Sequence, residues 1–319
     1  MNTVDAPLYT PAPEWSGRND GPGPEHARWH SSISSLDINA AAESSPGVAL
    51  LGFASDEGVL RNGGRQGAAA GPAAIRAALG SLAIHHGQAL YDAGTITTQG
   101  TDLEGSHAAL TKATSALTAA GHLPIILGGG HETAFGSHRG AHATYGPMKV
   151  INLDAHFDLR QAEQPTSGTP FTQIAALVGE ENFDYSVFGI SAPNNTAVLF
   201  DEAARLGVDI VLDEELVEMS AAAAAERAVA ACDEHSTVHL SIDLDVLPAY
   251  QAPGVSAPAS LGVAFTHIRA IAVALARTGK LGLVDVVELN PTYDIDGRTA
   301  KLAARLIDDI TTGHLAATA

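Results

Sequence analysis

With 319 residues, 45% of them hydrophobic and 17% charged, the chain has ample material for a large buried interior and too little charge for a disordered one. Its 36 acidic and 17 basic side chains give a formal net charge of −19, which excludes a general affinity for nucleic acid or an anionic membrane surface. The single cysteine, Cys232, excludes an intramolecular disulfide and any cysteine cluster for structural zinc or iron–sulfur ligation, and suits a reducing compartment.

Residues 1–45 are rich in proline, glycine, serine and charge, with Trp15 and Trp29 as large anchors, and read as a peripheral segment wrapping one domain over residues 46–319. Met1 to Asn19 lack the basic and then apolar order of a secretory signal, and no apolar run approaches bilayer-spanning length, so a soluble cytoplasmic protein is expected. From Gly47 onward, apolar runs alternate with helical patterns. Candidate strands fall near 48–54, 89–92, 123–128, 149–153, 186–190, 208–212, 237–242 and 282–287, which implies βαβ units and a parallel sheet. Eight such strands can close into a barrel or stay open as a three-layer α/β sheet, and periodicity does not separate the two.

Between the first two strands, Asn62-Gly-Gly-Arg65-Gln-Gly67-Ala-Ala-Ala-Gly71-Pro72 precedes a helix expected over 73–82, with Pro72 in its first turn. It has neither the Lys-Ser/Thr ending of a P-loop nor the spacing of a dinucleotide fingerprint, and reads as a flexible loop near the site. Ala221 to Ala225 lie in a helix.

Four strand ends carry chemistry. Leu123 to Leu127 lead into Gly128-Gly-Gly-His131-Glu132 and a helix from Thr133. Lys149 to Leu153 lead into Asp154-Ala-His156-Phe-Asp158-Leu-Arg160, where residues two apart in extended chain share a face. Val238 to Ile242 end in Asp243-Leu-Asp245, and Leu283 to Val287 end in Glu288-Leu-Asn290-Pro291 before a helix expected over 300–312. Each motif alone fits an ordinary turn or a hydrogen-bonded histidine. Together they place His131, Asp154, His156, Asp158, Asp243, Asp245 and Glu288 at equivalent addresses, and so many acids cannot be buried together without cations. Carboxylates with some imidazole suit two divalent metals, manganese better than a soft, sulfur-seeking one with iron, cobalt, nickel and zinc left open, and such a pair acidifies a shared water for hydrolysis. His85, His86, His107, His122, His138 and His142 fall away from strand ends and read as structural, and Ser191 lacks the spacing of a nucleophile elbow.

The four motifs resemble the ureohydrolase family of arginase and agmatinase over about residues 47–312. The resemblance implies the open, mainly parallel eight-stranded arginase-like sheet and a pair of Mn2+ ions held by His131, Asp154, His156, Asp158, Asp243 and Asp245. Within the family, Asp-Ala-His-Phe-Asp-Leu-Arg160, Thr166-Ser167-Gly168-Thr169-Pro170-Phe171 and Asp243-Leu-Asp-Val-Leu-Pro-Ala are most similar to the branch that hydrolyses N-formimidoyl-L-glutamate to L-glutamate and formamide in histidine degradation. That branch implies Asp158 as ligand and proton carrier, and Glu288 as the group that holds the amidine nitrogens. Arg160 is the expected grip on a substrate carboxylate, since a guanidinium binds one bidentately. Ser167, also expected at the substrate, stands in a segment that departs from the histidine-bearing one of arginase and agmatinase and counts against a guanidine. The alternatives are a guanidino hydrolase of agmatinase or guanidinobutyrase type that releases urea, and a non-catalytic metabolite-binding protein. The family also implies a homo-oligomer acting on a small molecule, with no nucleic-acid or membrane partner.

Overall fold

The computed structural model describes residues 7–85, 87, 89–232 and 237–318. His86 and residues 1–6 of the N-terminal segment therefore lie outside the described residues. Ten strands form one sheet among the described residues: β1 Tyr9–Thr10, β2 Ser34–Ser35, β3 Val48–Ala54, β4 Leu90–Thr97, β5 Leu123–Leu127, β6 Lys149–Leu153, β7 Asp184–Ile190, β8 Asp209–Leu212, β9 Val238–Asp243 and β10 Leu281–Val287. Their order is β1-β4-β3-β5-β10-β9-β6-β7-β8, with β2 also paired to β4. The eight longer strands run parallel, and β1 alone pairs antiparallel. The sheet is open, so the barrel is excluded, and two dipeptides of the N-terminal segment extend it at β4 beyond the eight expected strands.

Helices cover both faces: α1 Trp29–Ser32, α2 Glu57–Arg61, α3 Gly71–Leu79, α4 Leu103–Ala119, α5 Thr133–Tyr145, α6 Pro170–Val178, α7 Ala197–Arg205, α8 Asp213–Glu218, α9 Ala221–Ala230, α10 Phe265–Ala276 and α11 Arg298–Thr318. Successive strand side chains feed opposite layers, which is why the strands read as unbroken apolar runs. In β3, Val48 and Leu50 join the core that includes Ile75 of α3 and Ile307 of α11, whereas Ala49, Leu51 and Phe53 join the core that includes Leu110 of α4. A third cluster gathers Val150, Phe157, Phe171, Ile174 and Tyr185 under α6. Among the described residues, no helix is long and apolar enough to cross a membrane.

Three boundaries differ from the sequence expectation for identifiable reasons. β4 runs on to Thr97 through polar residues, because Arg76 of α3 takes both Asp92 oxygens at 2.8 Å and the Thr95 hydroxyl at 3.0 Å, leaving them no need of water. α3 spans Gly71–Leu79 instead of 73–82, with Pro72 in the first turn and Gly80 at its end. α11 continues past residue 312 because Gly313 is a packing residue and not a terminator: a Cβ there would stand 3.1 Å from the Ala276 methyl of α10.

The N-terminal segment is tied to the body by its tryptophans. Trp29 is fully buried and donates its indole N–H to Asp308 of α11 at 2.8 Å, and Trp15 donates to Asp92 of β4 at 2.8 Å.

Candidate metal centre

β5, β10, β9 and β6 are consecutive neighbours at the middle of the sheet, so the loops beyond their carboxyl ends meet over one crevice. His131 arrives there through Gly128-Gly129-Gly130, and a side chain at Gly129 is excluded outright, since its Cβ would lie 1.7 Å from the Ser55 carbonyl. Asp154 directly follows β6, Asp243 closes β9, Asp245 sits one turn on, and Glu288 directly follows β10. Asp158 and Glu288 are held at φ of 49° and 67°, a left-handed backbone that costs a non-glycine residue about 1–3 kcal/mol and collects at functional sites.

Two groups of potential ligand atoms result, each with all its atoms within 4.8 Å of one another: His131, Asp154, Asp158 and Asp243, and then Asp154, His156 and Asp245. His131 Nδ1 faces Asp158 Oδ2 at 2.9 Å, Asp154 Oδ2 at 3.0 Å and Asp243 Oδ2 at 3.2 Å. His156 Nδ1 lies 3.1 Å from Asp245 Oδ2 and 3.6 Å from Asp154 Oδ1. Asp154 thus gives one oxygen to each group. Its Oδ1 accepts from the His156 amide at 2.7 Å and its Oδ2 from Asn152 Nδ2 at 3.0 Å. Ser241 Oγ meets His131 Nε2 at 3.0 Å, which fixes the ring and leaves Nδ1 aimed at the acids.

The donor set fits divalent cations. The buried His131 Nδ1 faces three carboxylate oxygens at close range yet is aligned to donate to none, and Asp245 Oδ1 is buried without a hydrogen bond among the described residues. Atoms so arranged converge on a common point as ligands do. Electrostatics point the same way. Burial raises the carboxyls of Asp158, Asp243 and Asp245, with the Asp154 charge adding to each. Burial alone would lower both imidazoles, yet Asp154, Asp158 and Asp243 hold His131 well above its usual range, and Asp245 and Asp154 push His156 up to about 12. Protons crowded this way are what a divalent cation displaces.

Glu288 stands outside both groups. Its Oε1 accepts from the His131 amide at 2.9 Å, its buried Oε2 has no hydrogen-bond partner among the described residues, and burial with the nearby Glu132 and Asp245 charges raises it well above the carboxylate range. It lines a recess of about 210 Å³ with His156, Asp158, Asp243, Asp245, Arg160 and Ser167. Arg160 is exposed at this recess, and its guanidinium makes no hydrogen bond or ion pair among the described residues. All nine site residues singled out by sequence therefore lie at or beside one crevice. His131 and Asp154 are completely buried beneath the recess. Of the histidines read as structural, three described ones pack elsewhere: His107 between Phe53 and Phe135, His122 against Ser44, and His138 against His239.

Sequence reasoning missed further polar residues around the recess. Asn62, Asn194, Asn195 and Ser256 also line the recess, and only the glycines beside Asn62 signalled its loop. That loop is pinned where a flexible one was expected. Arg65 donates to the carbonyls of Val255 and Ser256 at 2.6 and 2.8 Å and stacks 3.8 Å over the Tyr293 ring, while Asn290 Nδ2 donates to the carbonyls of Arg65 and Gln66, each at 3.0 Å.

The arginase family model matches residues 46–313. The chain belongs to the arginase family. Among its relatives in this family, it is 52% identical to a formimidoylglutamase of Corynebacterium efficiens over 95% of this chain and 96% of that one. A formimidoylglutamase of Nocardia farcinica is 48% identical over 96% and 98%. Among solved arginase-family structures, a formimidoylglutamase of Bacillus subtilis superposes with a TM-score of 0.83, covering 91% of this chain and 92% of that one at 24% identity, which shows the shared fold. A Trypanosoma cruzi formiminoglutamase with Mn2+ superposes with a TM-score of 0.77 at 27% identity, covering 87% and 98%. The arginase-family sheet thus accounts for the open architecture.

Proposed function

We propose that the chain hydrolyses N-formimidoyl-L-glutamate to L-glutamate and formamide in histidine degradation, as a dimanganese enzyme. The relatives named formimidoylglutamase support the reaction, and the observation that carries the substrate assignment is the free Arg160 guanidinium over the acidic recess. An arginine that merely balanced local acids would be paired with one.

In this reading His131, Asp154, Asp158 and Asp243 hold one ion, and Asp154, His156 and Asp245 the other. Two divalent ions held there acidify a water molecule at neutral pH. The remaining work falls to the chain. Glu288 Oε2, buried and unpartnered, accepts from the amidine N–H groups and orients the formimidoyl carbon. Water oxygen bonds to that carbon, and Asp158 takes the proton released and passes it to the glutamate nitrogen, whose bond to carbon then breaks. Arg160 and Ser167 hold the carboxylate end.

The same reading places the enzyme in the cytoplasm as a homo-oligomer, with residues 46–319 as the catalytic domain and residues 1–45 as a segment strapped across it. Product analysis tests the function. Manganese-loaded protein is expected to release formamide and L-glutamate from N-formimidoyl-L-glutamate and no urea from agmatine or 4-guanidinobutyrate. Urea release with formimidoylglutamate untouched would overturn the substrate, and binding without turnover under any divalent metal would overturn the enzyme.

A further inference from the structure

We infer that Asn62 is a positioning residue for substrate specificity: it aims the Ser167 hydroxyl proton at a second substrate carboxylate, beside the one held by Arg160. The inference rests on the proposed dicarboxylate substrate. Arg160 is the only lysine or arginine among the described residues lining the recess, since the nearby Arg65 is spent on the Val255 and Ser256 carbonyls. One guanidinium grips one carboxylate bidentately, so the second carboxylate of a glutamate must be met by neutral donors.

Ser167 is such a donor when its hydroxyl proton is turned into the recess. Asn62 Nδ2 donates to Ser167 Oγ at 3.2 Å, and the Ser167 hydroxyl donates to no protein atom among the described residues. With its acceptor side occupied from behind, the hydroxyl keeps its own proton for the recess that both residues line.

The arrangement is built rigidly. The amides of Asn62 and Ser167 both donate to the Gly58 carbonyl, each at 3.0 Å, which locks the two residues to one another, and the Arg160 amide donates to the Gly168 carbonyl at 2.9 Å. Gly168 is the hub. A Cβ there would lie 2.8 Å from Arg160 Cδ and 3.2 Å from both polar atoms of the Asn62 carboxamide, so a side chain would push apart the donors that surround it. Behind Gly58, Glu132 accepts from its amide at 3.1 Å, and the Arg65 and Asn290 contacts hold the rest of the loop.

Steady-state kinetics on three substrates of the manganese-loaded enzyme test this: N-formimidoyl-L-glutamate, 4-(formimidoylamino)butyrate, which lacks the α-carboxylate, and N-formimidoyl-norvaline, which lacks the γ-carboxylate. Asn62→Ala is expected to raise KM for the dicarboxylate about tenfold, the weight of one hydrogen bond to a charged group, with kcat changed far less. One of the two single-carboxylate substrates, the one lacking the group that Ser167 receives, should be spared. Asn62→Asp, nearly isosteric, should be worse than alanine, because a carboxylate can only accept and recaptures the hydroxyl proton. Asn62→Ala added to Ser167→Ala should cost nothing more, since the first acts through the second. Equal losses on all three substrates, a fall in kcat in place of the KM effect, or additive losses in the double variant would overturn the role. If wild-type enzyme hydrolyses no formimidoyl substrate, the function fails first, and calorimetric binding of L-glutamate decides Asn62: a Kd unchanged by Asn62→Ala overturns it.

Discussion

Arg160 shows how much a single residue's surroundings decide. Its place in the Asp154–Arg160 motif and the fit of a guanidinium to a carboxylate suggested a substrate contact, but an arginine in a chain of charge −19 has many acids to choose from. Among the described residues its guanidinium is unpaired at the recess, which supports the proposed role in substrate binding. Arg160→Ala is expected to raise KM for formimidoylglutamate by about 10- to 100-fold, the range for a hydrogen-bonded charge, while kcat changes little. An unchanged KM in initial-rate assays would remove Arg160 from substrate recognition. Asp154, His156 and Asp158 were legible because an abrupt change from apolar run to ligand-type residues is written in adjacent letters. Asn62 was not, because nothing local distinguishes an asparagine aimed at a distant serine from one that simply starts a turn.

Among the elements, strands and helices followed from local pattern, and the differences arose where tertiary contacts overrode it. Polar residues extend β4 because α3 supplies Arg76, and Gly313 continues α11 because α10 comes close. α4 carries a consequence for stability. Burial, reinforced by the Arg139 cation, holds His107 down to about 4 between Phe53 and Phe135. An unfolded histidine takes its proton near pH 6.5, so the unfolded state binds more protons between the two values. The stability tied to neutral His107 is complete above pH 6.5, falls as pH drops toward 4, and levels off below that. The whole effect is about 3 kcal/mol, of which about 2 kcal/mol is lost by pH 5. Urea denaturation at pH 7 and pH 5 should therefore show a smaller acid loss for His107→Gln than for wild type. Equal losses would show that His107 titrates normally.

Across the whole molecule, the N-terminal segment joins the body through Trp29, whose ring is fully buried in the core that includes Ile75 and Ile307 and whose indole meets Asp308. Trp29→Ala is expected to cost about 3–5 kcal/mol and to lower the melting temperature in one cooperative transition. A second, earlier transition in calorimetry, with the main one unmoved, would mean that the segment unfolds independently. Runs of apolar residues ending in acids and histidines were sufficient for the α/β class and for seven candidate residues at strand ends, because strand periodicity and ligand type are properties of neighbouring residues, whereas the narrower set of six ligands came from the family resemblance. Strand order was out of their reach. That β5, β10, β9 and β6 lie side by side, so that residues 131 and 288 share one crevice, depends on pairings between segments 43 to 159 residues apart. Packing selects such pairings only when the whole sheet closes its two helical layers, and the pinned Asn62 loop and the unpaired Arg160 exist only after that selection.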